Sequence, residues 1–220
     1  MAAARKKMTR KELLKKPDEF ITFSNRVYNW VRLHLPKVII GLSAILLAAL
    51  LFFGYRTYTQ WQENLAHEQY FLSQEEKDPD QKIKKLAALV QDFPRTLAAQ
   101  NGRIQLGHLY YQKSDFPKAI TAYQSALDHG NLPSSLRVMV LESLAYAQEQ
   151  KGDLPQAARL FSEITRGGQD LLKENAQLSL ARVYQKQGKK AEAKSAYQEF
   201  LKRFPESPFA QVVKDRINRL

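Results

Sequence analysis

Cysteine is absent from this sequence, and so are the short motifs that mark the common catalytic sites. Without a thiol the chain forms no disulfide and offers no cysteine for nucleophilic chemistry or for lipid attachment. Disulfides are the usual sign of an oxidising compartment, so cysteine usage gives no indication of where the protein works. The fold must therefore be stabilised by packing, hydrogen bonds and charge alone.

Enzymatic signatures are missing as well. The phosphate-binding patterns GxxxxGKS/T and GxGxxG and the nucleophile pattern GxSxG do not occur. His67 and Glu68 begin the HExxH pattern of zinc proteases, but position 71 holds Phe71 instead of a second histidine. The other histidines, His34, His108 and His129, are scattered along the chain. We therefore expect no enzyme, no cofactor, no metal ion and no small-molecule substrate.

A formal net charge of +12 is typical of nucleic-acid-binding proteins, but here the excess of basic residues is concentrated at the N-terminus. Residues 1–37 hold ten basic and three acidic side chains, whereas residues 57–220 hold 23 basic and 19 acidic ones. We interpret the basic excess as a membrane-orienting feature and a contact for anionic lipid. No nucleic-acid partner is expected.

The stretch from Val38 to Tyr55 is the only long run without a charge. Its length of roughly 27 Å as a helix is close to the ~30 Å hydrocarbon core of a bilayer. A buried helix of a soluble domain would normally keep a polar face, and a cleaved signal peptide would lie nearer the N-terminus and end in a small-x-small site. The pattern therefore favours an uncleaved transmembrane helix over residues 38–55.

The flanks of this helix predict its orientation. Ten basic residues precede it, and only Arg56 follows before Lys77, so residues 1–37 should remain in the cytoplasm and residues 56–220 should lie outside. Aromatic side chains at both ends suit the headgroup zones: Tyr28, Trp30, Tyr55, Tyr58 and Trp61. Residues 1–16 are predicted to be disordered, and residues 20–31 show helical apolar spacing that suits either an interfacial helix or a plain tether.

Beyond the span, residues 58–76 and 81–92 predict a helix hairpin, and a pattern of about 36 residues then recurs three times. Each copy has Leu followed by a small residue, and later Ala followed four positions on by an aromatic ring. The copies are Leu106, Gly107, Ala119 and Tyr123; Leu144, Ala145, Ala157 and Phe161; Leu180, Ala181, Ala193 and Tyr197. The two halves of the three copies are separated by the turn sequences SDFPKA, GDLPQA and GKKAEA, which align with one another.

These residues resemble the tetratricopeptide repeat, although its tryptophan position holds Arg103, Leu141 and Gln177. The resemblance implies an all-α fold, with the transmembrane helix followed by an α-solenoid of three to four hairpins and a C-terminal capping helix. We expect the cap to start near Ser207 and to turn Phe209, Val212, Val213 and Ile217 toward the last repeat.

The resemblance also implies a partner-binding groove along the concave side, formed by the first helix of each pair. The positions that it selects are Ile104, His108, Tyr111, Gln112, Glu142, Tyr146, Glu149, Leu178, Arg182 and Gln185. They lack the basic and amide set with which some relatives clamp a C-terminal carboxylate. Ile104 and Leu178 could instead only pack. We expect replacement of Tyr111, Tyr146 and Arg182 together to leave stability nearly unchanged.

The whole arrangement resembles a bacterial family of inner-membrane proteins that includes an ancillary subunit of the Sec translocon. That resemblance implies a single-pass inner-membrane protein with a periplasmic repeat domain, which binds translocon components or periplasmic chaperones and their clients. Two alternatives remain open, because a repeat fold does not fix a partner. One is a scaffold for cell-wall or outer-membrane assembly, and the other is a regulatory subunit that acts through its cytoplasmic tail.

Overall fold

The computed structural model describes residues 19–129, 132–167 and 170–220, and every regular element in these ranges is an α-helix. The all-α class predicted from the sequence is thereby confirmed. The predicted disordered tail, residues 1–16, lies outside the described residues. The chain divides into two compact units, Met1–Thr59 and Gln60–Leu220.

The first unit contains α1 (Glu19–Leu33) and the beginning of α2 (Leu35–Gln74), with only His34 between them. Helix α2 runs for 40 residues without a break. It is long and apolar enough to cross a membrane, with a mean hydropathy of 2.5 over its most apolar window, none of which is buried. Large side chains such as Ile45 and Phe53 are 67% and 64% exposed. The described residues thus leave this apolar surface uncovered.

The second unit is the predicted solenoid. Its helices are α3 (Pro79–Asp92), α4 (Leu97–Gln112), α5 (Phe116–Asp128), α6 (Ser134–Lys151), α7 (Leu154–Arg166), α8 (Asp170–Lys186), α9 (Lys190–Arg203) and α10 (Ala210–Asn218). Consecutive helices from α3 to α10 pack on one another, and the first helices of successive hairpins, α4, α6 and α8, are also neighbours. The C-terminal part of α2 packs on α3, since Ala66 lies in the same core cluster as Leu86 and Leu89.

The turn inside each hairpin follows from its sequence. Helices α5 and α7 begin after Asp115 and Asp153, whose carboxylates accept hydrogen bonds from backbone N–H groups of the first turn, at 3.3 and 3.2 Å. Lys189 is the cap of the third hairpin. The residue before each of the three caps has a left-handed backbone: φ is 60° at Ser114, 92° at Gly152 and 75° at Gly188. Two of the three turns thus use glycine where its freedom is needed.

Small residues set the spacing between paired helices, as the repeat pattern predicts. Gly107 of α4 faces the ring of Tyr123 on α5 so closely that a Cβ there would lie 2.4 Å from a ring carbon. The equivalent Ala145 and Ala181 are completely buried. Close approach of the two helices therefore depends on these side chains being small.

The capping helix differs from its prediction in two respects. It begins at Ala210, and of the four apolar residues expected to face the last repeat only Val213 is fully buried, with Ile217 half-buried. Phe209 and Val212 are 46% and 50% exposed, so the expectation for them was wrong. Val213 and Ile217 lie on one face at a spacing of four, whereas Val212 lies ~100° around the helix from Val213 and Phe209 precedes the first helical residue.

Candidate functional site

Three helices of the second unit enclose a small pocket, which we call the aromatic pocket. Its volume is about 230 Å³. Helix α4 contributes His108, Tyr111 and Gln112, and helices α5 and α6 contribute Tyr123, Ser143 and Tyr146. Four of these six residues belong to the predicted groove. The structure therefore brings the α4 part of the predicted site together with its α6 tyrosine.

Two rings of the aromatic pocket pack edge-on against other rings. His108 packs edge-on against Tyr123 with ring centroids 5.5 Å apart, and Tyr111 meets Phe116 at 5.6 Å in a similar geometry. Desolvation lowers the pKa of His108 below its ordinary value, so the imidazole is mainly neutral at pH 7. Burial raises the pKa of Tyr123, and the hydroxyl of Ser143 beside it donates to the backbone oxygen of Met139 at 3.0 Å. The pocket thus offers neutral aromatic faces and hydroxyl groups.

Next to this pocket, helices α6 and α8 are joined by an ion triad formed by Glu149, Arg182 and Lys186. The Glu149 side chain is 2% exposed, and its two oxygens accept from Arg182 Nη2 and Lys186 Nζ, both at 2.7 Å. The Arg182 guanidinium also lies 5.7 Å from the centroid of the Tyr146 ring. Both carboxylate oxygens are used internally, so Glu149 links the helices and is not a free groove contact.

The other predicted groove residues have mixed surroundings. Ile104 is 9% exposed and lies in the main core cluster, and Leu178 is partly buried against the cluster of α8, α9 and α10. Both therefore fill space between helices. Gln185 is exposed and accepts a hydrogen bond from the Tyr197 hydroxyl at 3.4 Å. Glu142 is half-buried, and this burial raises the pKa of its carboxyl group.

These contacts change one expectation. Tyr146 shares a hydrogen bond of 3.0 Å with the Ser179 hydroxyl and packs edge-on against Phe161 at 5.1 Å. Arg182 neutralises a buried carboxylate. Replacing Tyr111, Tyr146 and Arg182 together would therefore destabilise the fold, contrary to the prediction made from the sequence. Tyr111 alone is suited to a functional test, because its ring contacts Phe116 edge-on and is only partly buried against the core.

Two pocket residues were missed by the sequence reasoning. Tyr123 occupies the aromatic position of the repeat pattern, and its ring lines the pocket. Ser143 follows Glu142 by one position and so belongs to the adjacent stripe of α6. The signal that could have identified Tyr123 is its hydroxyl, since the equivalent position of the second repeat holds Phe161. Among residues 19–129, 132–167 and 170–220, no group of acidic and histidine side chains is placed to hold a metal ion.

Comparisons with known proteins agree with this architecture. The family described as "Tetratricopeptide repeat-like domain" matches residues 30–220. A kinesin-light-chain type protein from Podosopora anserina with nearly identical TPR-like repeats is similar in structure at 18% identity and a TM-score of 0.53, covering 73% of this chain and 83% of that one. A tetratricopeptide repeat protein from Parabacteroides merdae is similar at 15% identity and a TM-score of 0.56, covering 70% and 58%. The comparison with curated proteins gives no match.

Proposed function

The chain belongs to the tetratricopeptide repeat-like domain family, and we propose that it is a membrane-anchored protein-binding module on the outer side of the bacterial inner membrane. Its repeats form a protein–protein interaction module of the tetratricopeptide type, whose stacked hairpins present an extended binding surface. We propose further that this surface assists translocated or envelope proteins next to the translocon. The observation that carries the proposal is an aromatic pocket on the helices that follow an uncovered apolar helix.

The exposed apolar surface of α2 supports the anchor. From Leu35 to Tyr55 the helix rises about 30 Å, which matches the hydrocarbon thickness of a bilayer. Tyr28 and Trp30 before this segment, and Tyr55 and Trp61 at its far end, are 55–66% exposed and so are available to the headgroup zones. The excess of basic residues before the segment favours a cytoplasmic N-terminus. On this arrangement the repeats lie in the periplasm.

The chemistry of the aromatic pocket supports extended, apolar polypeptide as the ligand. Its volume of about 230 Å³ suits one or two side chains, and its lining combines rings with hydroxyl groups. Aromatic rings supply contact area with few rotors to freeze, so they can bind varied sequences weakly. Such binding suits a protein that meets many different exported chains.

Peptide binding by the purified full chain in mild detergent tests the site. The probe is a fluorescent peptide from the mature part of an exported protein, rich in aromatic and aliphatic residues, measured by anisotropy. Tyr111→Ala should weaken binding about 10-fold, since an aromatic contact contributes about 1.5 kcal/mol. Phe209→Ala removes an exposed ring at the other end of the repeats and serves as the matched control. Equal losses in the two variants would contradict a role for the pocket.

Protease accessibility tests the topology independently. Protease added outside spheroplasts should digest residues 60–220 and leave the N-terminal tail intact. Protection of the repeats together with cleavage of the tail would place the module on the cytoplasmic side and would overturn the periplasmic part of the proposal.

A further inference from the structure

A second cavity lies on another face of α4, between α3, α4 and α5, and we call it the outer groove. Its volume is about 290 Å³. Its α4 residues, Arg103, Leu106 and Tyr110, lie roughly 160° around the helix from those of the aromatic pocket, at ~100° per residue. The outer groove is therefore a separate site, and the proposed function does not use it.

Most of the outer groove is apolar, but it contains a buried cation. Arg103 is 3% exposed, and its Nη2 donates to the backbone oxygen of Pro94 at 2.8 Å. Its Nε and Nη1 have no hydrogen-bond partner within the described ranges of the chain. Desolvation lowers the pKa of Arg103, yet a guanidinium stays charged at neutral pH. A buried charge without an ionic partner is costly unless something binds it.

The fold does not require an arginine at this position. The equivalent residues of the second and third repeats are Leu141 and Gln177. The third repeat has the same groove, since seven of the eight lining residues of the outer groove have a lining counterpart 74 positions later. There Gln177 donates to the backbone oxygen of Ala196 at 2.9 Å and is satisfied internally. The unpartnered guanidinium is thus particular to the first repeat.

The other polar groups of the outer groove are a paired lysine and two hydroxyl groups. Lys118 lies at its rim, 64% exposed, with its Nζ 2.8 Å from Asp115 Oδ2 and 5.5 Å from the centroid of the Tyr110 ring. Its counterpart in the third repeat is Glu192, so the sign of the charge is reversed there. The hydroxyl-bearing residues Thr121 and Ser125 complete the polar lining. The apolar wall is formed by Val90, Leu106, Tyr110 and Ala122.

We propose that the outer groove binds a carboxylate carried on an apolar group, with an unpartnered nitrogen of Arg103, Nε or Nη1, donating to a carboxylate oxygen. The apolar wall takes the hydrocarbon part, and the unpartnered donors of Arg103 take the charge. Two sources share this chemistry: the C-terminal residue of a partner polypeptide and a small apolar carboxylic acid. At about 290 Å³ the groove exceeds the ~30 Å³ share of one water about tenfold, so it can hold such a group.

The test uses the full chain in mild detergent, with N-acetyl-leucine as the probe and N-acetyl-leucine amide as its neutral control. The acid should bind with a Kd on the order of 1 mM and raise Tm, as a ligand of this size allows. The amide should do neither. Similar Tm shifts with the acid and the amide would overturn the proposal. So would the absence of acid binding at concentrations tens of times the expected Kd.

Variants that copy the other repeats supply the protein-side control. Arg103→Gln and Arg103→Leu should fold with an unliganded Tm at or above that of the wild type, because they remove an unpaired buried charge. Both should lose the shift caused by N-acetyl-leucine, whereas the exposed Arg159→Gln should keep it. Retention of the shift in both Arg103 variants would assign binding elsewhere and overturn the proposal.

A peptide of six residues ending in leucine distinguishes the two sources. If its free-acid form binds at least tenfold more tightly than N-acetyl-leucine and its amidated form does not, the ligand is a polypeptide terminus. If the peptide gains nothing over N-acetyl-leucine, the ligand is a small carboxylic acid. Both results support the carboxylate site, and neither depends on peptide binding in the aromatic pocket, which Tyr111→Ala reports separately.

Discussion

Gly107→Ala should destabilise the protein although alanine is the better helix former. In the middle of a helix the exchange gains about 1 kcal/mol from propensity. Against this, the new Cβ would lie 2.4, 2.5 and 2.8 Å from three ring carbons of Tyr123, where carbon atoms normally keep ~3.5–4.0 Å. Tyr123 is 2% exposed, so its ring has little room to move. We expect an overpacking cost of about 3 kcal/mol and a net loss of about 2 kcal/mol.

Gly102→Ala is the matched control, because it lies in the same helix and is also buried. Its Cβ would meet only methyl groups of side chains, Val90 Cγ2 at 3.3 Å and Leu89 Cδ2 at 3.4 Å. Both can shift by a few tenths of an ångström, so this variant should be about 0–1 kcal/mol more stable than the wild type.

Thermal and urea unfolding of the full chain in detergent, followed by far-ultraviolet circular dichroism, measures both variants. Gly107→Ala should lower Tm by about 4–8 °C. The equivalent alanines, Ala145 and Ala181, show how the reasoning could fail, since the other hairpins accept a methyl group at this position. If Gly107→Ala were as stable as Gly102→Ala, the α4–α5 hairpin could open to the spacing of its neighbours, and close approach would not be a constraint.

Three further expectations concern single sites. Ser114→Gly should stabilise the fold by about 0.5–1 kcal/mol in urea unfolding, because a φ of 60° strains serine and suits glycine; destabilisation would refute the left-handed turn. Arg182→Ala should cost about 1–3 kcal/mol, discounted for its partial exposure, since Glu149 would keep only one of its two cations; a neutral result would mean that the carboxylate is solvated. Glu142→Gln should raise Tm at pH 7 and lose this advantage below pH ~4. The reason is that a carboxyl group whose pKa is raised in the folded state destabilises that state as the pH rises past the pKa of the unfolded chain. A Tm difference that does not depend on pH would exclude burial of the Glu142 charge as the cause.

The fold was largely predictable because its information is local. The alternation of small and aromatic residues at a period of about 36 residues identifies the hairpins, and the turn sequences place their caps. The capping helix was less predictable, since apolar residues at positions 209, 212, 213 and 217 do not reveal how many of them a single nine-residue helix buries. Phe209 shares the spacing of Val213 and Ile217 but lies just before the helix begins, and the sequence does not fix that boundary.

The site was only partly predictable, because position in a repeat does not determine contacts between repeats. Ile104 and Glu149 occupy groove positions in the pattern, but one packs in the core and the other pairs with two cations from the next repeat. Such pairing depends on which residues stand about 33 and 37 positions later, and thus on the register between hairpins. The unusual environment of Arg103 was visible only as a departure at the tryptophan position, and its unpartnered donors required coordinates.

The central claim is that the aromatic pocket contacts exported polypeptide outside the inner membrane. A photo-crosslinking amino acid placed at position 111, in cells that hold an exported protein stalled in the translocon, tests it most directly. We predict crosslinks to the stalled chain from position 111 and few from position 209. Equal crosslinking from both positions, or no crosslinks from position 111, would contradict the claim.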